Sequence, residues 1–375
     1  MKKPALAFLV LLALAAAPAV NHLQLTAADG ESEFPSIVFN GSELGIAWMD
    51  GRDGNQEVYF RAADVLAGRL GTETRLTNSE TWDDNPQLAR TGSEFALSWI
   101  HESKTYFDLM FQRLDPAGKP RGPARALLRQ AMLDKNTVLR WTGAGFGVVA
   151  SEFKGGPAQA DLYFRYLDEG GNRQGQAVPI AIEPGIKAPA AMLKNGSDFA
   201  IVYLNSTAGA VNFLRTNPLG SPIASALQLN LPGTRCGLPA AANSDKIIVV
   251  AWPQDAATGN QVVVVALSPD GAIVTIPTPV TVPGPNRPTV AAAAGKEGFG
   301  LAWIEITEQG RMLFFQQLDP GGKPLGTPLR LCKPRPVKVM SNRLAMTADA
   351  GGYVIAWVDV VPPMNSEVIL SRVGF

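Results

Sequence analysis

Short apolar segments, most closing on an aromatic, recur along the chain at nearly regular intervals. They end at Trp48, Trp99, Tyr203, Trp252, Trp303 and Trp357, and Phe146-Gly147-Val148-Val149-Ala150 keeps the register with the aromatic lost. Successive marks lie 51, 51, 53, 49, 51 and 54 residues apart. A short continuous apolar run bounded by turn signals is the pattern of a strand covered on both faces. Repetition of such a unit every 40–50 residues or so is the signature of a propeller or solenoid. Each unit opens with a strand near a proline (Pro35, Pro86, Pro189, Pro239, Pro288), continues through the aromatic-ended strand, and adds a third and a fourth. The expected fold is therefore all-β: a seven-bladed β-propeller of four-stranded antiparallel blades.

Turn chemistry supports the division. Leu114-Asp115-Pro116-Ala117-Gly118, Leu167-Asp168-Glu169-Gly170-Gly171 and Leu318-Asp319-Pro320-Gly321-Gly322 fall between third and fourth strands, with glycine where φ must be positive. Asn40-Gly41 and Asn195-Gly196 mark hairpins between first and second strands, which accounts for these asparagines better than their Asn-x-Ser glycosylation sequons do. The blades run over 35–79, 86–129, 135–182, 187–231, 238–282, 287–333 and 338–375. The last unit lacks a fourth strand. Residues 22–27 supply it, since Gln24-Leu25-Thr26 repeats the fourth-strand text Arg75-Leu76-Thr77 and both lead through an acidic linker to a proline. Joining the termini in one blade closes the ring and protects its edges. The one amphipathic helix candidate, Ala124–Leu133, is short and poorly periodic.

The chain begins with Lys2-Lys3, an apolar run from Ala5 to Ala17, and Ala17-Pro18-Ala19, the order of a cleavable export signal. Residues 1–19 are expected to be removed, leaving 20–375 as the propeller. The apolar run is too short for a permanent membrane anchor, and no cysteine precedes Cys236 to carry a lipid. A periplasmic or secreted location is expected, with no transmembrane anchor in the mature chain. Cys236 and Cys332 occupy different repeat positions and are not expected to form a disulfide.

The chain carries 33 basic and 33 acidic residues, so total charge excludes little. Its distribution is more informative: residues 21–110 hold 15 Asp and Glu against 6 Lys and Arg, and 111–375 hold 18 against 25. An acidic sector on a basic disk is expected around blades 1 and 2, with Asp29, Glu31, Glu33, Glu80, Asp83 and Asp84 in its linkers and Trp82 as an aromatic anchor. Surface drift is the competing account of this asymmetry.

Trp48-Met49-Asp50-Gly51-Arg52-Asp53-Gly54-Asn55-Gln56-Glu57-Val58-Tyr59 resembles a repeat of secreted bacterial seven-bladed propellers, Trp-x-Asp-x-Arg-x-Gly-x-x-Glu-Ile-Tyr. The resemblance is sharp in this blade alone. It implies a recognition or scaffold module more than an enzyme. Sialidases share a related propeller architecture, but their Ser-x-Asp-x-Gly-x-x-Trp box is absent.

Side chains of a strand repeat with period two, so the residue two past each aromatic takes an equivalent place in every blade. These residues are Asp50, His101, Glu152, Asn205, Gln254, Glu305 and Asp359, all polar and four acidic. A ring of carboxylates suits a cation or a basic partner, whereas polar residues at turns also cap nearby backbone. Asp50, Asp53, Asn55 and Glu57 place four oxygen ligands within eight residues, a density that suits calcium. A turn neutralised by Arg52 is the alternative. Beyond this calcium candidate no cofactor is called for.

The chain has two histidines. His22 is expected to fray near the terminus, and His101 lies beside Glu102 in no recognisable nucleophile motif; catalytic residues are not identified. The absence of a phosphate loop, of zinc-ligand spacing and of basic residues interleaved with aromatics argues against nucleotide, zinc and nucleic acid. The expectation is a binding or scaffold propeller that recognises a protein or glycan through its loop face, with Asp50, Glu152, Glu305, Asp359, Trp82, Asp83 and Asp84 as its ligand-binding candidates. The alternatives are a carbohydrate-active hydrolase or lyase using carboxylates in the central funnel, and a structural component of an envelope assembly.

Overall fold

The computed structural model describes residues 18–336, 343–361 and 365–374. The expected leader (all but Pro18 and Ala19), the start of the seventh blade before Arg343, and Phe375 lie outside them. Seven antiparallel sheets form the blades; in six the strands follow sequence order from the first, innermost strand outward, and in the seventh the N-terminal strand is the outermost. In blade 2 these are Trp82–Thr91, Glu94–Glu102, Phe107–Leu114 and Pro120–Gln130. The last of these includes most of the helix candidate, so that expectation is corrected. Ala126, Leu128 and Arg129 pair with Met110, Leu109 and Asp108, and tertiary pairing overrides a weak local helical pattern.

Ring closure is as expected. Ala19–Gln24 pairs with Asn365–Gly374, Leu23 facing Leu370 and Gln24 facing Ile369. The strand starts earlier than 22–27, and its pairing continues as Leu25 N donates to the Val368 carbonyl at 2.9 Å. His22 does not fray: it sits opposite Ser371, with Nδ1 and Oγ 2.8 Å apart.

The second strands read as unbroken apolar runs because neighbouring blades cover both faces. Leu44–Asp50 is buried at every position. A third-strand phenylalanine of one blade meets the aromatic that opens the next blade's second strand: Phe60 with Phe95 at 5.3 Å, Phe111 with Phe146 at 5.0 Å, Phe164 with Phe199 at 6.0 Å between ring centroids. Aromatic pairs at these separations add to area burial. The same phenylalanines fix the turn glycines. Gly118 (φ 82°) lies against Phe60 and Gly171 (φ 80°) against Phe111, where a Cβ has neither room nor a relaxed backbone.

Asn40 is buried, its Oδ1 accepting from the Ser42 and Glu43 amides at 2.9 Å and its Nδ2 donating to the Ser93 carbonyl at 3.1 Å. These bonds fit its hairpin role. No helix among the described residues is long and apolar enough to cross a membrane.

Candidate functional site

The seven polar residues two past the aromatic prove to be anchored. Where that aromatic is tryptophan, its buried indole N–H needs an acceptor, and a side chain two residues on lies on the same side of the strand. Trp48 Nε1 donates to Asp50 at 2.9 Å, Trp252 to Gln254 at 3.1 Å and Trp303 to Glu305 at 2.7 Å. Trp99 and His101 both turn instead to Asp83 Oδ1, each at 2.9 Å. Glu152 pairs with Arg165, Asn205 Nδ2 donates to the Pro184 carbonyl at 2.9 Å, and Asp359 pairs with Arg335 at 3.1 Å. Burial raises the Asp83, Glu305 and Asp359 carboxyls above the ordinary range. At Asp50 burial acts in the same direction but is outweighed by donors from Arg52, Trp48 and Ser32, which hold the carboxyl below it.

The calcium candidates are engaged in a similar way. Arg52 donates to Asp50 and Glu73 and stacks 4.6 Å from the Tyr59 ring. Asp53 accepts from Tyr59 and pairs with Arg75 at 3.1 Å. Asn55 donates to the Ser79 carbonyl at 2.9 Å, while Glu57, fully buried, accepts from the Thr77 hydroxyl at 2.5 Å and the Ser79 amide at 2.9 Å. Among the described residues no group of three or more His, Cys, Asp and Glu is placed to hold a metal. Of the linker residues, Trp82 is 49% exposed, but Asp83 and Asp84 are buried, Asp84 pairing with Lys135 at 2.5 Å. At least ten of the fifteen carboxylates between residues 21 and 110 lie within ion-pair distance of a basic side chain or His101. The acidic sector is largely neutralised.

A cavity of about 610 Å³ occupies the central channel at the end where first and second strands turn. One repeat position, five residues before the residue that opens the second-strand run, supplies a side chain to it from every blade: Phe39, Arg90, Trp141, Lys194, Asn243, Ala294 and Ala348. Arg140, one residue before Trp141, joins them. Strand pairing holds these positions rigidly, Arg90 facing Phe95 and Lys194 facing Phe199. The walls above are aliphatic, with Val38, Leu88, Leu139 and Leu193 among them, and among the described residues no Asp, Glu, His or Cys lines the cavity. The funnel carboxylates that the hydrolase or lyase alternative needs are not among the described residues that line this mouth.

The opposite end of the channel is crossed by side chains. Arg343 of blade 7 donates to Asn136 Oδ1 of blade 3 at 2.6 Å and lies 5.3 Å from the Phe34 ring of blade 1. Blades 1 and 2 separate blades 3 and 7 on one side of the ring and three blades do so on the other, so this bond spans the axis. Phe34 and Asn85, each preceding the proline of its first strand, hold φ of 53° and 51° there. A second cavity of about 260 Å³, on blade 3, is lined by Arg165, Tyr163 and Arg173 with Glu152.

The mouth residues were missed by sequence reasoning. The register could have pointed to them: on a scaffold repeated seven times, the position five before the second-strand run carries seven side chains of aromatic, cationic, amide and small types.

No family model matches the chain, and no curated protein matches it in sequence. Solved structures do match in fold. A protein of unknown function from Dyadobacter fermentans is 12% identical with TM-score 0.55, covering 95% of this chain and 99% of its own. An ulvan lyase, described as a new family of polysaccharide lyase, is 10% identical with TM-score 0.57 over 92% of this chain and 94% of its own. The propeller domain of the Trilobed protease from Pyrococcus furiosus, whose topology is described as an open velcro, is 8% identical with TM-score 0.52 over 92% and 94%. At these identities the likeness establishes the fold alone, a seven-bladed β-propeller; here the two ends of the chain are paired in one blade.

Proposed function

We propose that this protein is an exported, non-catalytic recognition propeller that seats its ligand in the channel mouth bordered by Arg90, Arg140, Trp141 and Lys194. The carrying observation is the mouth itself, a cavity of about 610 Å³ to which every blade contributes side chains from a rigid inner strand. That volume lies within the usual range for small-ligand pockets. A non-catalytic role is supported by a lining that, among the described residues, holds no carboxylate, imidazole or thiol. His101 is oriented by Asp83, yet among the described residues no hydroxyl or thiol hydrogen-bonds to it. Export rests on the leader-like residues 1–19.

The test is an array of neutral, acidic and basic glycans and peptides, probed with the wild-type protein and with Ala294→Trp, which narrows the mouth. Hits lost in Ala294→Trp but kept in Asp53→Asn support the reading. Hits that survive the narrowed mouth, chemical conversion of an array member, or a blank array overturn it. A scaffold role in an envelope assembly is favoured by one observation: the outer strand of blade 5 exposes Ile273, Val274 and Ile276. It would show as Ile276→Glu losing an envelope complex without loss of fold.

A further inference from the structure

Arg90, Arg140 and Lys194 come from three consecutive blades, and among the described residues no carboxylate forms an ion pair with any of them. Three acids at this end of the ring are committed elsewhere: Glu94 and Asp198, which open the second strands of blades 2 and 4, pair with Arg113 at 2.6 Å and Arg121 at 2.8 Å and with Arg215 at 3.3 Å, and Asp349, which ends the first strand of blade 7, pairs with Arg372 at 2.6 Å. Arg90, Arg140 and Lys194 all line the cavity. All three side chains are exposed to the solvent of the channel, and the surrounding blades, with like charge from Arg90 added, lower the Arg140 guanidinium from its ordinary value. Asn243 Nδ2 donates to the Lys194 carbonyl at 2.6 Å, which fixes the strand that carries Lys194. Beside the cations stand Trp141, packed edge-on against Phe146 at 4.9 Å, and Phe39, both half-buried and lining the cavity.

Low-dielectric walls around charges of one sign focus the field and concentrate counter-charged ligands. Guanidinium forks match planar or tetrahedral acid groups. An aromatic wall adds a flat apolar surface of the size of a sugar ring, and Asn243 and Thr347 supply polar partners for hydroxyls.

We propose that the channel mouth binds an anionic saccharide, its carboxylate or sulfate groups held by Arg90, Arg140 and Lys194 and one ring face set against Trp141. This rests on the reading of the mouth as the ligand seat and adds the chemical class of what sits there.

The test is titration calorimetry with three oligosaccharides of equal length: an oligogalacturonate, a sulfated galacto-oligosaccharide and a neutral galacto-oligosaccharide. A hexaglutamate peptide is the fourth probe. Each is titrated into the wild-type protein, Arg140→Gln, and the triple variant Arg90→Gln/Arg140→Gln/Lys194→Gln, with circular dichroism confirming the fold. At least one acidic sugar should bind, with the carboxylated and sulfated arms showing which group is preferred, and the neutral sugar should bind at least about tenfold more weakly. Arg140→Gln should lose about tenfold and the triple variant should lose binding altogether, with wild-type affinity falling as salt rises. Equal binding of the neutral sugar, or acidic-sugar affinity untouched in the triple variant, overturns the proposal. Binding of hexaglutamate alone overturns the saccharide assignment while leaving the channel seat standing. A non-ionic array ligand displaced by Ala294→Trp overturns the anionic class but likewise not the seat.

Discussion

The Thr26 hydroxyl donates to the Glu367 carboxylate, joining residues 341 positions apart, and the same hydroxyl accepts the Val368 amide at 2.9 Å. Blade 1 repeats the arrangement with Thr77, Glu57 and the Val58 amide, at 2.5 and 2.8 Å. The side chain that ends the outer strand thus locks it to the third strand. Asn230 in blade 4, Thr281 in blade 5 and Cys332 in blade 6 accept the equivalent amides of Val211, Val262 and Leu313 at 2.8, 2.9 and 3.3 Å.

Thr26→Val should strip the buried Glu367 carboxylate of a donor and the Val368 amide of its acceptor. A loss of about 1–3 kcal/mol is expected, seen as a lower urea midpoint with unchanged slope. Deleting residues 20–30 should destabilise the whole propeller, because it opens the ring. Unchanged thermal unfolding of that truncation would show that ring closure does not support the fold.

Glu305→Gln should leave stability unchanged or raise it at neutral pH, since Gln254 already accepts an indole N–H at the equivalent position. Burial raises the Glu305 carboxyl above its ordinary value. Its ionised form therefore costs stability above the folded pKa, and that cost is relieved as pH falls through it towards the unfolded value. The variant should lack this part of the pH dependence. A marked loss of stability at pH 7 would assign the charge a role that the indole bond does not explain.

Asp50 behaves in the opposite sense. Burial favours its neutral form, but donors from Arg52, Trp48 and Ser32 prevail and hold the carboxyl below its ordinary value. Its stabilisation is complete above the unfolded pKa and is lost as pH falls through the folded one. Asp50→Asn should be less stable at pH 7, with the difference narrowing in acid; a constant difference between pH 7 and 2 would exclude the charge as its source.

Cys236 belongs to a core cluster between blades 4 and 5, and Cys332 packs on one between blades 6 and 7. Burial pushes the Cys236 thiol up to about 11 and raises Cys332 as well, so neither is a ready nucleophile. Both should alkylate in denaturant without reductant and slowly in the native state. An intact mass that rises by two hydrogens on reduction would contradict this. Cys332→Thr should keep the outer-strand lock, and Cys332→Ala should weaken it.

The blades were legible because each second strand is buried on both faces and its apolar run stands out whatever surrounds it. Closure was legible because Thr26 and Thr77 carry the same bond and so the same local text. The fate of Ala124–Leu133 was not, since pairing with Phe107–Leu114 decides it and a single window does not contain that strand. Asp50, Asp53 and Glu57 drew attention as a dense acidic cluster, yet their partners Arg75, Thr77 and Ser79 lie some twenty residues on. Arg90, Arg140 and Lys194 are ordinary surface residues in sequence and converge only once the ring is closed.

Hydrogen exchange of the wild-type protein with and without a saturating concentration of the better-binding acidic sugar, oligogalacturonate or sulfated galacto-oligosaccharide, tests most directly where a ligand sits. The account predicts slowed exchange in the inner-strand ends and hairpins at residues 88–92, 139–143 and 193–196, with residues 50–57 and 101–107 unchanged. Protection confined to residues 50–57 and 101–107, or protection nowhere, would contradict it.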